Sequence, residues 1–319
     1  MRVLVAGASG ALGVPLTRQL ISAGHEVLGL SRTPGNRNRL LALGAEPLIA
    51  DVMDRAALLA AVEGLKADAV VHALTALKKA PVRHRDMVAT NALRQEGTAN
   101  LLAAARAVGA RRFVAESMIV GYGYGDWGTK VLTEDDPSFG PPGRSRWLER
   151  HLEAMRSIER QTFAADGIEG IALRYGLFYG PGAGAKEMVE MLRRRRMPIL
   201  RNGGGPLSWV YIEDAATATA AALEKGRPGQ AYNVVDDEPV PWGAFMEAMA
   251  QAVGAPSPPA VPRWLLRLAP YAHAVMTSTL RVSNAKARRE LDWTPSVPTY
   301  RQGCEKLAAS LRDRAPAAA

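Results

Sequence analysis

The chain has 319 residues, room for one large domain or a domain with a smaller lobe, and its 48% hydrophobic, 22% charged composition is that of a globular protein. A single cysteine, Cys304, excludes an internal disulfide framework and a cysteine-rich zinc site, and no metal is expected. The formal net charge of +9 is scattered, and its one dense run, "RRRR" at 193–196, comes without any nucleic-acid-binding signature. Nucleic acid is therefore not an expected partner, whereas anionic small molecules are. The longest apolar stretch, 261–276, is broken by arginines and prolines and is too short to span a bilayer. With no leader-like segment ahead of the first strand-like run, the expected setting is cytoplasmic, with no membrane partner.

In chain order, apolar runs at 2–6, 26–30, 46–49, 69–72, 112–116 and 170–174 predict strands. Helical spacing at 12–23, 55–64, 86–108 and 147–165 falls between them. This alternation implies an α/β fold of the Rossmann type, a doubly wound parallel sheet covered on both faces. The second half is less regular. A helix is predicted around 185–196, another over 213–225 and a strand over 231–235, separated by loops rich in glycine and proline. The last six residues, 314–319, read as a disordered tail.

The first predicted strand runs directly into "GASGALG", with Gly7, Gly10 and Gly13 three apart and Ser9, Ala11 and Leu12 filling the turn. Glycine there allows the tight turn, close approach of backbone to a pyrophosphate, and close packing of helix on sheet. The helix that follows offers unpaired N–H groups and the positive end of its dipole. Where an NAD site ends its second strand on a carboxylate, this chain has Ser31 and Arg32, with Arg37 and Arg39 close behind. A guanidinium can grip a 2′-phosphate that a carboxylate would repel, so the expected cofactor is NADP(H).

These motifs resemble the extended short-chain dehydrogenase/reductase family, which includes NAD-dependent epimerases and dehydratases. The similarity runs through "ADVMD", "HALTA", "NALRQEGTANLLAAA", "RFVAESMIVGYG", "LRYGLFYGPG", "SWVYIEDAATA" and "SNAKARRELDWTP". The resemblance implies a dinucleotide-binding domain over 1–176, to which 207–235 returns. It also implies a smaller substrate lobe built from 177–206 and 236–313. It places Asp51 and Val52 at the adenine and Ala73, Leu74 and Thr75 in the loop after strand four. Asn91, Tyr175 and the residues of the glycine turn complete the implied cofactor contacts. Ser117 matches the serine that hydrogen-bonds the reacting oxygen.

The family's Tyr–Lys pair, four residues apart on one helix, is missing. None of the eight tyrosines has a lysine four residues on, and alignment through Glu159 puts His151 and Met155 at those two positions. A methionine can neither supply charge nor donate to ribose hydroxyls. Three readings stay open: His151 acts as the proton donor; a tyrosine among Tyr122, Tyr124, Tyr175 and Tyr179 reaches in; or His151 and Met155 only pack the helix. The expected function is an atypical NADP(H)-dependent oxidoreductase acting on a small carbonyl or activated alkene. The alternatives are a non-redox lyase, isomerase or cyclase on the same fold, or an NADP(H)-sensing regulator. A small molecule is the expected partner, and a homodimer is the one assembly left open.

Overall fold

The structure is a computed structural model and describes residues 1–136 and 145–313; the tail reading at 314–319 lies outside them. The first half alternates β1 (Arg2–Ala6), α1 (Gly13–Ser22), β2 (Glu26–Ser31), α2 (Arg37–Ala42), β3 (Glu46–Ile49), α3 (Arg55–Val62) and β4 (Ala69–His72). Then come α4 (Val88–Ala92), α5 (Thr98–Ala107), β5 (Arg112–Met118), β6 (Asp126–Leu132), α6 (Arg146–Phe163) and β7 (Glu169–Tyr175). The remainder holds β8 (Leu177–Tyr179), α7 (Ala185–Arg193), β9 (Ile199–Leu200), β10 (Pro206–Leu207), β11 (Trp209–Tyr211), α8 (Ile212–Lys225) and β12 (Gln230–Val234). It closes with β13 (Val240–Pro241), α9 (Trp242–Ala252), β14 (Ala260–Val261), α10 (Pro270–Met276), β15 (Thr279–Val282), α11 (Ala285–Leu291) and α12 (Tyr300–Asp313).

Seven strands form one parallel sheet in the order β12-β7-β5-β4-β1-β2-β3. Val3, Leu4, Val5 and Ala6 of β1 are all wholly buried, as a central strand covered on both faces requires. One face packs Leu16 and Leu20 of α1 with Ala215 and Leu223 of α8. The other packs Leu58 of α3, Leu101 of α5 and Ile158 of α6 around Phe113. The strand order reverses between β1 and β4, and an open α/β sheet offers its binding crevice beyond that switch point.

A second sheet, β13-β10-β15-β6, stands apart from the first. Its edge strand β6 comes from residues that the sequence reading left in the first domain. Pairing with β15, 150 residues later, leaves no local signal to read. Conversely, Ala287, Leu291 and Trp293 join the α1/α8 core rather than the smaller lobe. The predicted helix 86–108 is also interrupted. A 3-10 turn (His84–Met87) precedes α4, and a π-helical turn (Leu93–Gly97) separates α4 from α5. Such wide turns recur at functional sites because they redirect one side chain.

Candidate active site

The glycine turn is built as the motif predicts. Gly7 has φ +93°, and a Cβ on it would lie 2.3 Å from the Ala73 carbonyl oxygen at the end of β4. A Cβ on Gly13 would lie 2.0 Å from the Gly7 carbonyl, so helix and turn close only without side chains. Helix α1 has no side-chain cap and no acidic residue in its first turn. The Ala11 and Leu12 N–H groups make no hydrogen bond among the described residues. An uncapped N-terminus of this kind fits the pyrophosphate of a dinucleotide.

Beside it, Asn36 Nδ2 donates to Ser9 Oγ at 3.0 Å and to Ser31 Oγ at 2.9 Å, tying the glycine turn to the end of β2. Arg32, Arg37 and Arg39 are exposed and form no ion pair among the described residues. Asp51 accepts from the Met53 N–H, and the Val52 carbonyl accepts from Asn100, which fixes the turn after β3. Beyond β4, Ala73 is buried and Thr75 Oγ1 lies 3.3 Å from Thr90 Oγ1. Ser31, Asp51 and Ala73 thus lie at or just beyond the carboxyl ends of β2, β3 and β4.

His151 sits on α6, only 1% exposed. Its Nδ1 accepts from Asn91 Nδ2 at 2.9 Å, which leaves the ring proton on Nε2, 3.1 Å from His84 Nδ1. Asn91 therefore holds the histidine through Nδ2, while its buried Oδ1 has no partner among the described residues. Burial, helped by the nearby His84 and Arg94, pushes the His151 pKa down to about 4, so the ring is neutral at physiological pH. A cleft of ≈ 340 Å³, lined by Val88, Asn91, Gln95, Trp147, Arg150 and His151, adjoins this pair. Met155 is wholly buried in an apolar cluster with Leu152, Ile119 and Val120, so it packs the helix.

Three expected site residues are engaged elsewhere. Ser117 Oγ is fully buried and donates to Glu159 Oε1 at 2.6 Å. Glu159 in turn pairs with Arg174 at 2.7 Å, so the serine belongs to a buried ionic cluster rather than to a substrate oxygen. The single hydroxyl proton of Tyr122 is shared between the Thr133 carbonyl and Asn233 Oδ1, and the oxygen accepts from Arg174; burial pushes its pKa up to about 12. Tyr175 is buried against α8, its hydroxyl 2.7 Å from Thr219 Oγ1. Tyr179, also weighed, is buried among Trp209, Tyr211 and Phe245. The physical reason is alternation along strands and burial, which motif matching does not see.

The structure brings in residues that the sequence reading passed over. Tyr271 of α10 lies edge-on to His151, its ring centroid 5.2 Å away, and its hydroxyl is 3.3 Å from that of Tyr124. Tyr124, one of the tyrosines weighed, is 6.4 Å from His151 between ring centroids. Arg94, turned inward by the π-helical turn, is 6% exposed and makes no side-chain hydrogen bond or ion pair among the described residues. Glu116 at the end of β5 is buried, and burial raises its pKa to about 7 against the opposing pull of Arg94. Only the chain's basicity hinted at Arg94; its inward turn depends on the break in the helix.

The model of the NAD dependent epimerase/dehydratase family matches residues 3–235. The chain belongs to that family. Within the epimerase/dehydratase family, it is 37% identical over 309 residues to a 3-diazoavenalumate denitrifying reductase of Streptomyces sp, covering 95% of this chain and 99% of the relative. It is 30% identical over 265 residues to 2-alkyl-3-oxoalkanoate reductase of Stenotrophomonas maltophilia (strain K279a), covering 80% and 77%. In fold it is similar to UDP-glucose 4-epimerase of Thermotoga maritima, with TM-score 0.79 at 20% identity over 98% and 99% of the two chains. A human epimerase family protein solved with NADPH gives TM-score 0.76 at 21% identity over 97% and 99%. The family and its reductase relatives make this chain an oxidoreductase with a nicotinamide dinucleotide site. No helix among the described residues is long and apolar enough to cross a membrane.

Proposed function

We propose that the protein is an NADP(H)-dependent reductase that delivers hydride to a diazonium group, with loss of dinitrogen. The observation that carries this reading is the pair at the family's acid–base positions. His151 is neutral and tied to Asn91 and His84, and Met155 is buried in apolar surroundings. Reducing a carbonyl consumes a hydride and a proton, so it needs a donor at that place. A diazonium carbon needs none. Its C–N bond breaks with the electron pair leaving on dinitrogen, and a C–H bond forms with the hydride. The relative whose name describes a denitrifying reductase of a diazo compound supports the same chemistry.

NADPH, when bound, supplies the hydride. Arg32 and Arg37, exposed and without an ion pair among the described residues, favour a 2′-phosphate at the end of β2, and Ser31 brings no opposing charge. Tyr124 and Tyr271 offer aromatic surfaces that exclude water and favour a cationic group. A second reading, reduction of a small carbonyl or activated alkene, is favoured by Glu116, whose pKa of about 7 suits an acid. The test measures NADPH oxidation and dinitrogen release together, using an arenediazonium salt and, separately, small ketones and enones. One dinitrogen per NADPH, above the rate without protein, is the expected result. Reduction of the ketone or enone alone would replace the first reading with the second.

A further inference from the structure

We propose that Arg94 is the seat of a substrate carboxylate, so that the pocket takes small aromatic carboxylates. The proposal deepens the reductase reading and rests on it for the identity of the pocket. Arg94, 6% exposed as a residue and with no side-chain hydrogen-bond or ion-pair partner among the described residues, lacks the acceptors that a bound anion would bring. Its fork of donors matches a carboxylate in two parallel hydrogen bonds. Glu116 is not that anion. No ion pair joins it to Arg94, and burial keeps its carboxyl largely protonated up to about pH 7.

The surroundings say which molecule brings the anion. The charge of Arg94 acts on His72 and Glu116 at the ends of β4 and β5, on His151 of α6, and on Tyr124 and Tyr271. Tyr271 belongs to α10, beyond the main sheet, while the anion seat for the cofactor pyrophosphate lies at the glycine turn before α1. Arg94 therefore stands between the sheet and the smaller lobe, on the substrate side. The tyrosine rings, with centroids 6.0 Å apart and planes at 68°, suit an aromatic body behind the carboxylate. The reductase reading needs such an anion too, because a bare guanidinium would repel a diazonium group.

The test uses the full-length protein saturated with NADP⁺ and titrates benzoate, cinnamate and their primary amides by calorimetry. Carboxylates are expected to bind about 10–100-fold more tightly than the amides, the worth of a charge-assisted contact. Arg94→Gln should abolish that difference and leave NADPH affinity within about twofold, while Arg94→Lys should keep part of it. Equal binding of carboxylate and amide to the unmodified protein would overturn the proposal without any variant having to fold. So would an Arg94→Gln protein that loses NADPH affinity and keeps the carboxylate preference, since the arginine would then serve the cofactor. Carboxylate preference in a protein that releases no dinitrogen would sustain Arg94 as the anchor and overturn only the diazo chemistry.

Discussion

Ser117 Oγ donates to Glu159 Oε1 at 2.6 Å, from the end of β5 to the C-terminal part of α6, with both side chains shut away from solvent. The same carboxylate takes two further hydrogen bonds from Arg174, through Nε at 2.9 Å and Nη2 at 2.7 Å. A serine held in this way orients a buried ion pair and does not reach a substrate. Ser117→Ala should therefore cost about 1–3 kcal/mol of stability, the charge-assisted bond it removes, with kcat within about threefold of the unmodified protein. Urea denaturation and steady-state rates check the two halves separately. A loss of about 10²-fold in kcat would return the serine to the reaction.

The ion pair itself is a stability element whose removal is asymmetric. Arg174→Met strands the Glu159 carboxylate in the interior and should cost about 3–5 kcal/mol. It also removes the donor that Tyr122 accepts from. Arg174→Met combined with Glu159→Leu should recover a large part of the loss, because no buried charge is then left alone. Chemical denaturation of the single and double variants gives the comparison. A double variant no more stable than Arg174→Met would contradict the stranded-charge argument.

Cofactor choice rests on the exposed arginines after β2. NADPH should bind more tightly than NADH by about 1.5–3 kcal/mol, the worth of hydrogen bonds to a charged group. Arg32→Asp should reverse the order, since the carboxylate repels the 2′-phosphate and accepts from a 2′-hydroxyl. Fluorescence titration with both cofactors measures it. Equal affinities in the unmodified protein would remove Arg32 from the site.

His151 contributes a pH dependence of stability rather than of rate. Its folded pKa, about 4, lies below the unfolded value of 6.5, so the unfolded chain binds the extra proton in that window. Stability attributable to it is present above pH 6.5 and lost progressively as pH falls toward 4, by about 3 kcal/mol at order of magnitude. His72, whose burial likewise lowers its pKa to about 4, adds a parallel loss. His151→Phe should flatten the fall in stability between pH 6.5 and 4, leaving the His72 share, and should leave turnover at pH 7 largely intact. An activity titration near pH 6–7 that vanishes in the variant would instead make His151 a proton donor.

The sequence by itself determined the parts that local pattern controls. The apolar runs placed β1 through β5 and β7, with the first, third and fourth strands at their observed bounds, because a buried parallel strand must be apolar on both faces. The spacing of Gly7, Gly10 and Gly13 carried its own steric reason, and the absence of a Tyr–Lys pair could be read directly. The tertiary structure alone decided which way each side chain faces and what meets it. Ser117 matches a motif letter, yet its place on β5 points it at Glu159. Tyr122 and Tyr175 are held by Asn233 and Thr219, partners more than forty residues away. His84 reaches His151 across 67 residues, and Tyr271 arrives from the smaller lobe. Arg94 is turned inward by a π-helical break that the helical spacing of 86–108 conceals. Local periodicity fixes elements through backbone geometry and burial, whereas a site is a set of long-range contacts whose partners are chosen only when the sheet, α6 and the second lobe close on one another.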